Sequence, residues 1–242
     1  MIVYPKNWQR NYKKSSSFHF DLREIISKLC SILKKIEVSH IAYSGGIDST
    51  IILHLLSAIH RESLFMDMGI HTYTIASRED HPDVQFARKS SKIYGTIHHE
   101  FIVKPTHVET DKFKGDNAVR QLFELVSKFT NRIISCDGID EFMCGYYDHQ
   151  EDTANKYRYY LGKLLPNHLI PLNNASKNIK VYLPYLDDGL IDIYREIPLA
   201  AKIDSKYRKK PMIEIAKYLS IPNEFIDRNK YGFCDAFIEK NK

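Results

Sequence analysis

The 242-residue sequence contains no Cys-x-x-Cys pair; its four cysteines, Cys30, Cys136, Cys144 and Cys234, are spread along the chain. That spacing excludes the usual zinc and dithiol signatures and predicts reduced thiols, as in a cytoplasm. Long apolar runs are missing too: the longest are a few residues, such as Ile51-Ile52-Leu53, far short of a membrane span. The opening Met1-Ile2-Val3-Tyr4-Pro5-Lys6 lacks the basic-then-apolar order of a secretory leader. There is no internal repeat, and no low-complexity tract beyond Ser15-Ser16-Ser17. Charge is nearly balanced, 35 Lys+Arg against 30 Asp+Glu, for a net +5. A nucleic-acid face needs clustered basic residues, and the nearest case, Lys206-Tyr207-Arg208-Lys209-Lys210, reads as the solvated start of a helix. Membrane and nucleic acid are set aside as partners, and a cytoplasmic location is expected.

What is present is ordinary globular composition, 43% hydrophobic and 27% charged, enough apolar surface for a sizeable core. Residues 1–20 show no period and read as an N-terminal arm. From Asp21, a helix N-cap by type, Leu22, Ile25, Ile26, Leu29, Leu33 and Ile36 recur at helical spacing. Val38–Tyr43 then reads as a strand, Ser44-Gly45-Gly46 as a turn, and Ile51, Ile52, Leu55, Leu56 and Ile59 as a helix stripe. His71–Ala76, His98–Val103 and Arg132–Ser135 predict further strands; Asp83–Tyr94, stopped by Gly95, and Val119–Phe129 predict the helices between them. This alternation predicts an α/β fold, a doubly wound parallel sheet with helices on both faces. One domain, 21–242, is expected, with the α/β core running to about residue 150 and a mostly helical part over 151–242 punctuated by six prolines from Pro166 to Pro222.

Open α/β sheets bind ligands at the carboxyl ends of their strands, and a glycine-rich strand-to-helix turn suits phosphate. Here that turn is Tyr43-Ser44-Gly45-Gly46-Ile47-Asp48-Ser49-Thr50. The glycines allow backbone N–H groups to converge on an anion, and the hydroxyls of Ser44, Ser49 and Thr50 add donors. An acidic side chain in such a cradle repels phosphate unless a cation lies between them, so Asp48 points to Mg²⁺. The turn lacks the Gly-Lys-Ser/Thr of the Walker loop and the Gly-x-Gly-x-x-Gly of dinucleotide sites.

The SGGIDS turn resembles the pyrophosphate loop of the ATP pyrophosphatase (PP-loop) superfamily, whose members cleave ATP between the α- and β-phosphates. The stretch from Ile134 to Tyr146 is similar to the S-G-E-G-S-D-E-x-x-G-G-Y segment of asparagine and β-lactam synthetases; Ser135, Gly138, Asp140, Glu141, Gly145 and Tyr146 match in place. HPDVQFARKSSKIYGTIHHEFIV, YLPYLDDGLIDI and DRNKYGF resemble three further segments of that family, in the same order. The likeness spans residues 38–237 and implies the adenine nucleotide alpha hydrolase-like fold. It implies an ATP-dependent carbon–nitrogen ligase, asparagine synthetase-like, that adenylates a carboxylate and passes it to ammonia or an amine with release of AMP. The substrates it implies are a small-molecule or peptide carboxylate and an amine donor, the cofactors ATP and Mg²⁺.

By the same resemblance, Asp48 and Asp140 are the metal ligands, and Ser44, Gly45, Gly46, Asp48 and Ser49 hold the phosphates. Ala42, Ile75, Ala76 and Ser135 contact the adenine, and Lys230 is the cation at the α-phosphate. Asp137 stands where asparagine synthetases carry a glutamate associated with the incoming amine, one methylene longer. Cys136 and Cys144 replace glycines, and Tyr182 replaces an arginine, which predicts a remodelled nucleotide edge and carboxylate pocket. Glutamine-dependent relatives begin with a glutaminase domain; with about twenty residues before its first helix, this sequence is expected to have no glutaminase of its own and to take nitrogen as free ammonia, from a separate glutaminase subunit, or from an amine substrate. Two other readings are an amidotransferase of the same superfamily acting on a sugar or modified nucleobase, and a non-catalytic nucleotide-binding subunit.

Overall fold

The structure, a computed structural model, describes residues 21–62, 69–106, 116–176, 178–229 and 236–237. The expected arm over 1–20 lies outside the described residues. Helix α1 (Leu22–Ile36) starts as expected: the Asp21 carboxylate accepts the Arg23 N–H, and Ile25, Leu29, Leu33 and Ile36 form its buried stripe. It ends at Glu37 in the left-handed region, φ 50°.

Five strands follow, β1 (His40–Ala42), β2 (His71–Ala76), β3 (Ile97–Ile102), β4 (Arg132–Ile134) and β5 (Lys180–Tyr182). They form one parallel sheet in the order β3-β2-β1-β4-β5. Helices α2 (Ile47–Glu62), α3 (Pro82–Tyr94) and α4 (Asp116–Val126) make the crossovers. Because the parallel sheet is covered on both faces, Ile41, Tyr73, Ile75, Ile133, Ile134 and Val181 are all buried. Helix α2 is enclosed rather than one-sided: Ile51, Ile52, Leu53, Leu55 and Leu56 are all at most 3% exposed.

After β4 come α5 (Ile139–Phe142), α6 (Thr153–Lys163), a π-helical turn (Leu164–Leu169) and α7 (Ile170–Ser176). Beyond β5 lie α8 (Asp188–Glu196), α9 (Leu199–Lys202), α10 (Lys210–Tyr218) and α11 (Asn223–Ile226). The part after residue 150 is therefore mostly helical, with one difference from expectation: it returns β5 to the sheet beside β4, with Ile133 opposite Val181. No described helix is long and apolar enough to cross a membrane.

The strand order places the candidate site. From β1 the chain moves to β2 on one side and later to β4 on the other. The crevice at the carboxyl ends of β1 and β4 is thus the topological switch point, where open α/β sheets take ligands.

Candidate active site

A cavity of about 610 Å³ opens at this crevice, lined by the turn after β1, the turn after β4, the π-turn and the segment leading into α10. The first turn is tightly built. Ser44 Oγ accepts the Gly46 N–H at 3.3 Å, Ser49 Oγ donates to the Gly46 carbonyl at 3.1 Å, and Tyr43 Oη lies 2.9 Å from Thr50 Oγ1. Gly45 has φ +68°, and a Cβ there would stand 2.6 Å from the Phe86 Cβ, so glycine is demanded by backbone and by packing on α3. Ser44, Gly46, Asp48 and Ser49 line the cavity, whereas Gly45 does not. Of the residues expected around adenine, Ala42, Ile75 and Ser135 line it; Ala76 is fully buried and does not.

The turn after β4 supplies the acidic groups. Gly138 caps α5 at φ 92°, a conformation costly for other residues, and a Cβ there would lie 2.6 Å from Leu186. Asp140 and Glu141 follow in the first turn of α5. Asp48, from the β1 side, and Asp140, from the β4 side, meet on one partner, Lys209, whose ammonium bonds to both carboxylates. A Cβ on Gly145 would come within 1.9 Å of Asp140 Oδ1 and 2.4 Å of Lys209 Cε, so that glycine is what lets the three close together. Burial opposes the Lys209 charge, but Asp140 and Asp48 outweigh it and hold its pKa above the ordinary lysine value.

The donor set fits a hard divalent cation. Asp48 Oδ1 is buried and has no hydrogen-bond partner among the described residues, while Oδ2 of the same carboxylate bonds to Lys209. Among the described residues no cluster of three or more His, Cys, Asp or Glu forms a metal cage. Two carboxylates completed by phosphate and water are a usual set for Mg²⁺.

Farther along the same wall lies a second cluster. Asp137 Oδ2 accepts the Ser135 hydroxyl, and Asp137 Oδ1 is 2.7 Å from His168 Nε2. His168 Nδ1 is 3.4 Å from Glu141 Oε1, which also accepts the Tyr146 hydroxyl at 2.7 Å. Burial works against an imidazolium at His168, but hydrogen bonds and charge from Asp137 and Glu141 overcome it and hold the pKa well above the ordinary value. At Asp137 burial pushes the carboxyl up, and the bond to His168, its charge and the Ser135 hydroxyl bring it below the ordinary value. The Cys136 thiol lines the cavity, and burial, Asp48 and Asp137 push its pKa well up. It is therefore a protonated wall group, not a thiolate.

Several site residues were not singled out by the sequence reading. The basic cluster 206–210 is a correction. Arg208 and Lys209 line the cavity and Lys209 is 5% exposed, because Lys209 turns the chain through φ 53° just before α10. Arg228 is another: its guanidinium donates to the Ser44 carbonyl at 2.8 Å, bonds to Asp83 and lies over the Phe86 ring. Arg228 thereby ties the C-terminal segment to the glycine turn. Lys230, two residues later, lies outside the described residues, as does Cys234. Tyr182 does not line the cavity; its hydroxyl accepts from Arg132 Nε at 3.2 Å.

A five-stranded parallel sheet with a glycine turn and paired carboxylates at its switch point is the arrangement of an α/β nucleotide-binding protein. The chain belongs to the asparagine synthase family: the family model described as "Asparagine synthase" matches residues 41–178. Similar curated proteins include the glutamine-hydrolyzing asparagine synthetase of Gallus gallus, 26% identical over 82% of this chain and 40% of that protein. The glutamine-hydrolyzing asparagine synthetase 1 of Lotus japonicus is 25% identical over 80% of this chain and 38% of its own length. The root enzyme of Pisum sativum is 23% identical over the same shares, 80% and 38%. The chain spans about two fifths of the length of these relatives.

Proposed function

We propose that this chain adenylates a carboxylate with ATP, releasing pyrophosphate, and then transfers the acyl group to ammonia or an amine with release of AMP. The observation that carries this is the convergence of two acidic groups in one cavity: Asp48 with Asp140 beside the glycine turn, and Asp137 with Glu141 farther along the wall. The first pair suits the phosphate side of such a reaction and the second suits a nitrogen nucleophile. The similar proteins are asparagine synthetases by name, which favours an amide product here.

In this reading Ser44, Gly46 and Ser49 hold the phosphates, Gly45 keeps the turn closed against α3, and Ala42, Ile75 and Ser135 receive the adenine with Ala76 behind them. Asp48 and Asp140 would hold Mg²⁺, which when bound neutralises phosphate charge. Lys209, which bonds to both carboxylates and lines the cavity, would add positive charge beside the phosphates, and Lys230 would add the cation at the α-phosphate that stabilises charge developing there. Arg228 fixes the glycine turn from behind. Asp137 belongs to the acceptor side.

The test is product analysis by ³¹P NMR with Mg-ATP, ammonium chloride and a panel of amino-acid and peptide carboxylates. AMP and pyrophosphate, formed only with an accepted acid, are expected. ADP and inorganic phosphate would overturn the reading.

A further inference from the structure

The acceptor side has a feature that resting on Asp137 alone does not explain. Each Asp137 oxygen already accepts a bond from the protein, one from Ser135 and one from His168, and its side chain is 6% exposed. The His168 side chain is 34% exposed and lines the cavity. A ligand on this wall therefore meets the imidazole before it meets the carboxylate.

The backbone that aims His168 is unusual as well. Residues Leu164–Leu169 form a π-helical turn between α6 and α7, closed by the Ile170 N–H on the Leu165 carbonyl. Such turns are uncommon, are often found at functional sites, and re-aim the side chains that follow. Here Asn167 and His168 line the cavity beside the buried Leu164, while Leu169 is buried away from it. A second observation points to a ligand: Glu141, 3% exposed, has an Oε2 with no hydrogen-bond partner among the described residues, and it lines the same cavity.

We infer that His168, oriented by Asp137, is the group that meets the incoming amine and takes its proton. This rests on the adenylation reading above. The amine lone pair forms the bond to the acyl carbon, and the acyl carbon–oxygen bond to the phosphate breaks, so that AMP leaves with that electron pair. The step uses the neutral ring, which keeps its Nε2–H on Asp137 and takes one proton from the nitrogen at Nδ1; the imidazolium that Asp137 and Glu141 favour at lower pH has no lone pair to offer. Asp137 and Glu141 stabilise the imidazolium, and Glu141 Oε2 accepts a remaining N–H of the nucleophile. Because Asp137 and Glu141 hold the ring above its ordinary basicity, it is free to accept a proton only towards the alkaline side, where it is a stronger base than a free imidazole. The titratable and charged groups that touch it are Asp137, just before α5, and Glu141 within α5, with Tyr146 bonded to Glu141; Asp140, Tyr159, Tyr160, Lys163 and Arg208 line the same cavity.

The experiment separates the two half-reactions. Carboxylate-dependent ATP–pyrophosphate exchange needs no amine; AMP release is measured with ammonium chloride, and separately with hydroxylamine, a nucleophile neutral at pH 7. For His168→Asn and His168→Ala, the ammonium-dependent rate is expected to fall relative to exchange by about 10²-fold, the usual scale for losing a proton-transfer group. The hydroxylamine rate relative to exchange is expected to fall less than about tenfold, since that nucleophile has less need of a base. Compared at equal free-ammonia concentration, wild-type turnover should rise with pH above neutrality as the imidazole becomes free to accept, and the variants should lose that rise. Equal loss of exchange and of both nucleophile rates would mean a structural role and overturn the inference, as would unchanged ammonium turnover. Absence of exchange in the wild type with every acid would instead overturn the adenylation reading itself, and the inference with it.

Discussion

The ammonium of Lys209 bonds to the carboxylate of Asp48, 161 positions earlier in the sequence. Asp140 takes the same ammonium from the other strand end. Three residues from separate parts of the chain thus close the switch-point crevice on a cation the protein itself supplies. With side chains only 7%, 16% and 22% exposed, none of the three is well solvated, so each depends on the others.

Lys209→Met is accordingly expected to lower the melting temperature in the absence of divalent metal, because two poorly solvated carboxylates then face each other. Breaking such a buried pair costs up to about 3–5 kcal/mol; partial exposure puts the expected loss at the lower end. Adding Mg²⁺ should recover stability in the variant by more than it does in the wild type. Thermal melts with and without Mg²⁺ check this, and an equal metal response in both proteins would count against Asp48 and Asp140 as a cation site.

Arg228→Lys keeps the charge but loses the planar fork that reaches both the Ser44 carbonyl and Asp83. The two side chains are 4% and 8% exposed, so a loss of about 2–4 kcal/mol is expected, somewhat under full removal of a buried partner. Because the tether ends on the glycine turn, nucleotide affinity measured by calorimetry should weaken along with stability. Unchanged ATP affinity in a folded Arg228→Lys protein would show that the tether does not shape the turn.

The Asp137–His168 pair gives a pH signature. Asp137 has its folded pKa below the ordinary 3.8, so its contribution is present above that value and lost as pH falls through the depressed one. His168 has its folded pKa above the ordinary 6.5, so its contribution is complete below 6.5 and lost as pH rises through the raised one. Both act together between about pH 4 and 6.5. Melting temperatures of wild type and His168→Asn should differ most in that window and converge on the alkaline side; a difference independent of pH would contradict the pair.

Much of the fold was legible because its signals are local. Asp21, Gly95 and the alternation around Gly45-Gly46 each act through one turn of backbone, and α1, α3 and the first four strands lie where those residues put them, within a residue or two at most ends. Strand β5 was not legible: Lys180-Val181-Tyr182 has a single fully buried residue, Val181, and it becomes a strand only because β4 has an open edge beside it. Asp48 is legible because it stands beside the glycine turn after β1; Asp137 and Asp140 are legible only through the family resemblance of the stretch from Ile134 to Tyr146. Lys209 looked like one member of a solvated basic run, and only its left-handed backbone turns it inward. His168 sits in Leu-Leu-Pro-Asn-His-Leu, which reads as a helix break; the structure instead carries the chain through a π-helical turn from α6 into α7, and that register is what brings His168 to the cavity. Tyr182 marks the opposite case, a conspicuous departure in sequence that proves to lie off the cavity wall.

The central claim is that this chain uses ATP to activate a carboxylate, and the most direct measurement is isotope exchange between pyrophosphate and Mg-ATP across a panel of amino-acid and peptide carboxylates, without amine. The account predicts exchange above the no-acid blank with at least one acid, and a fall of about 10²-fold or more in Asp48→Ala and Asp140→Ala, the scale of losing a main electrostatic contact to the reacting phosphates. Exchange with none of the acids, in a protein that calorimetry shows to bind Mg-ATP, would contradict it.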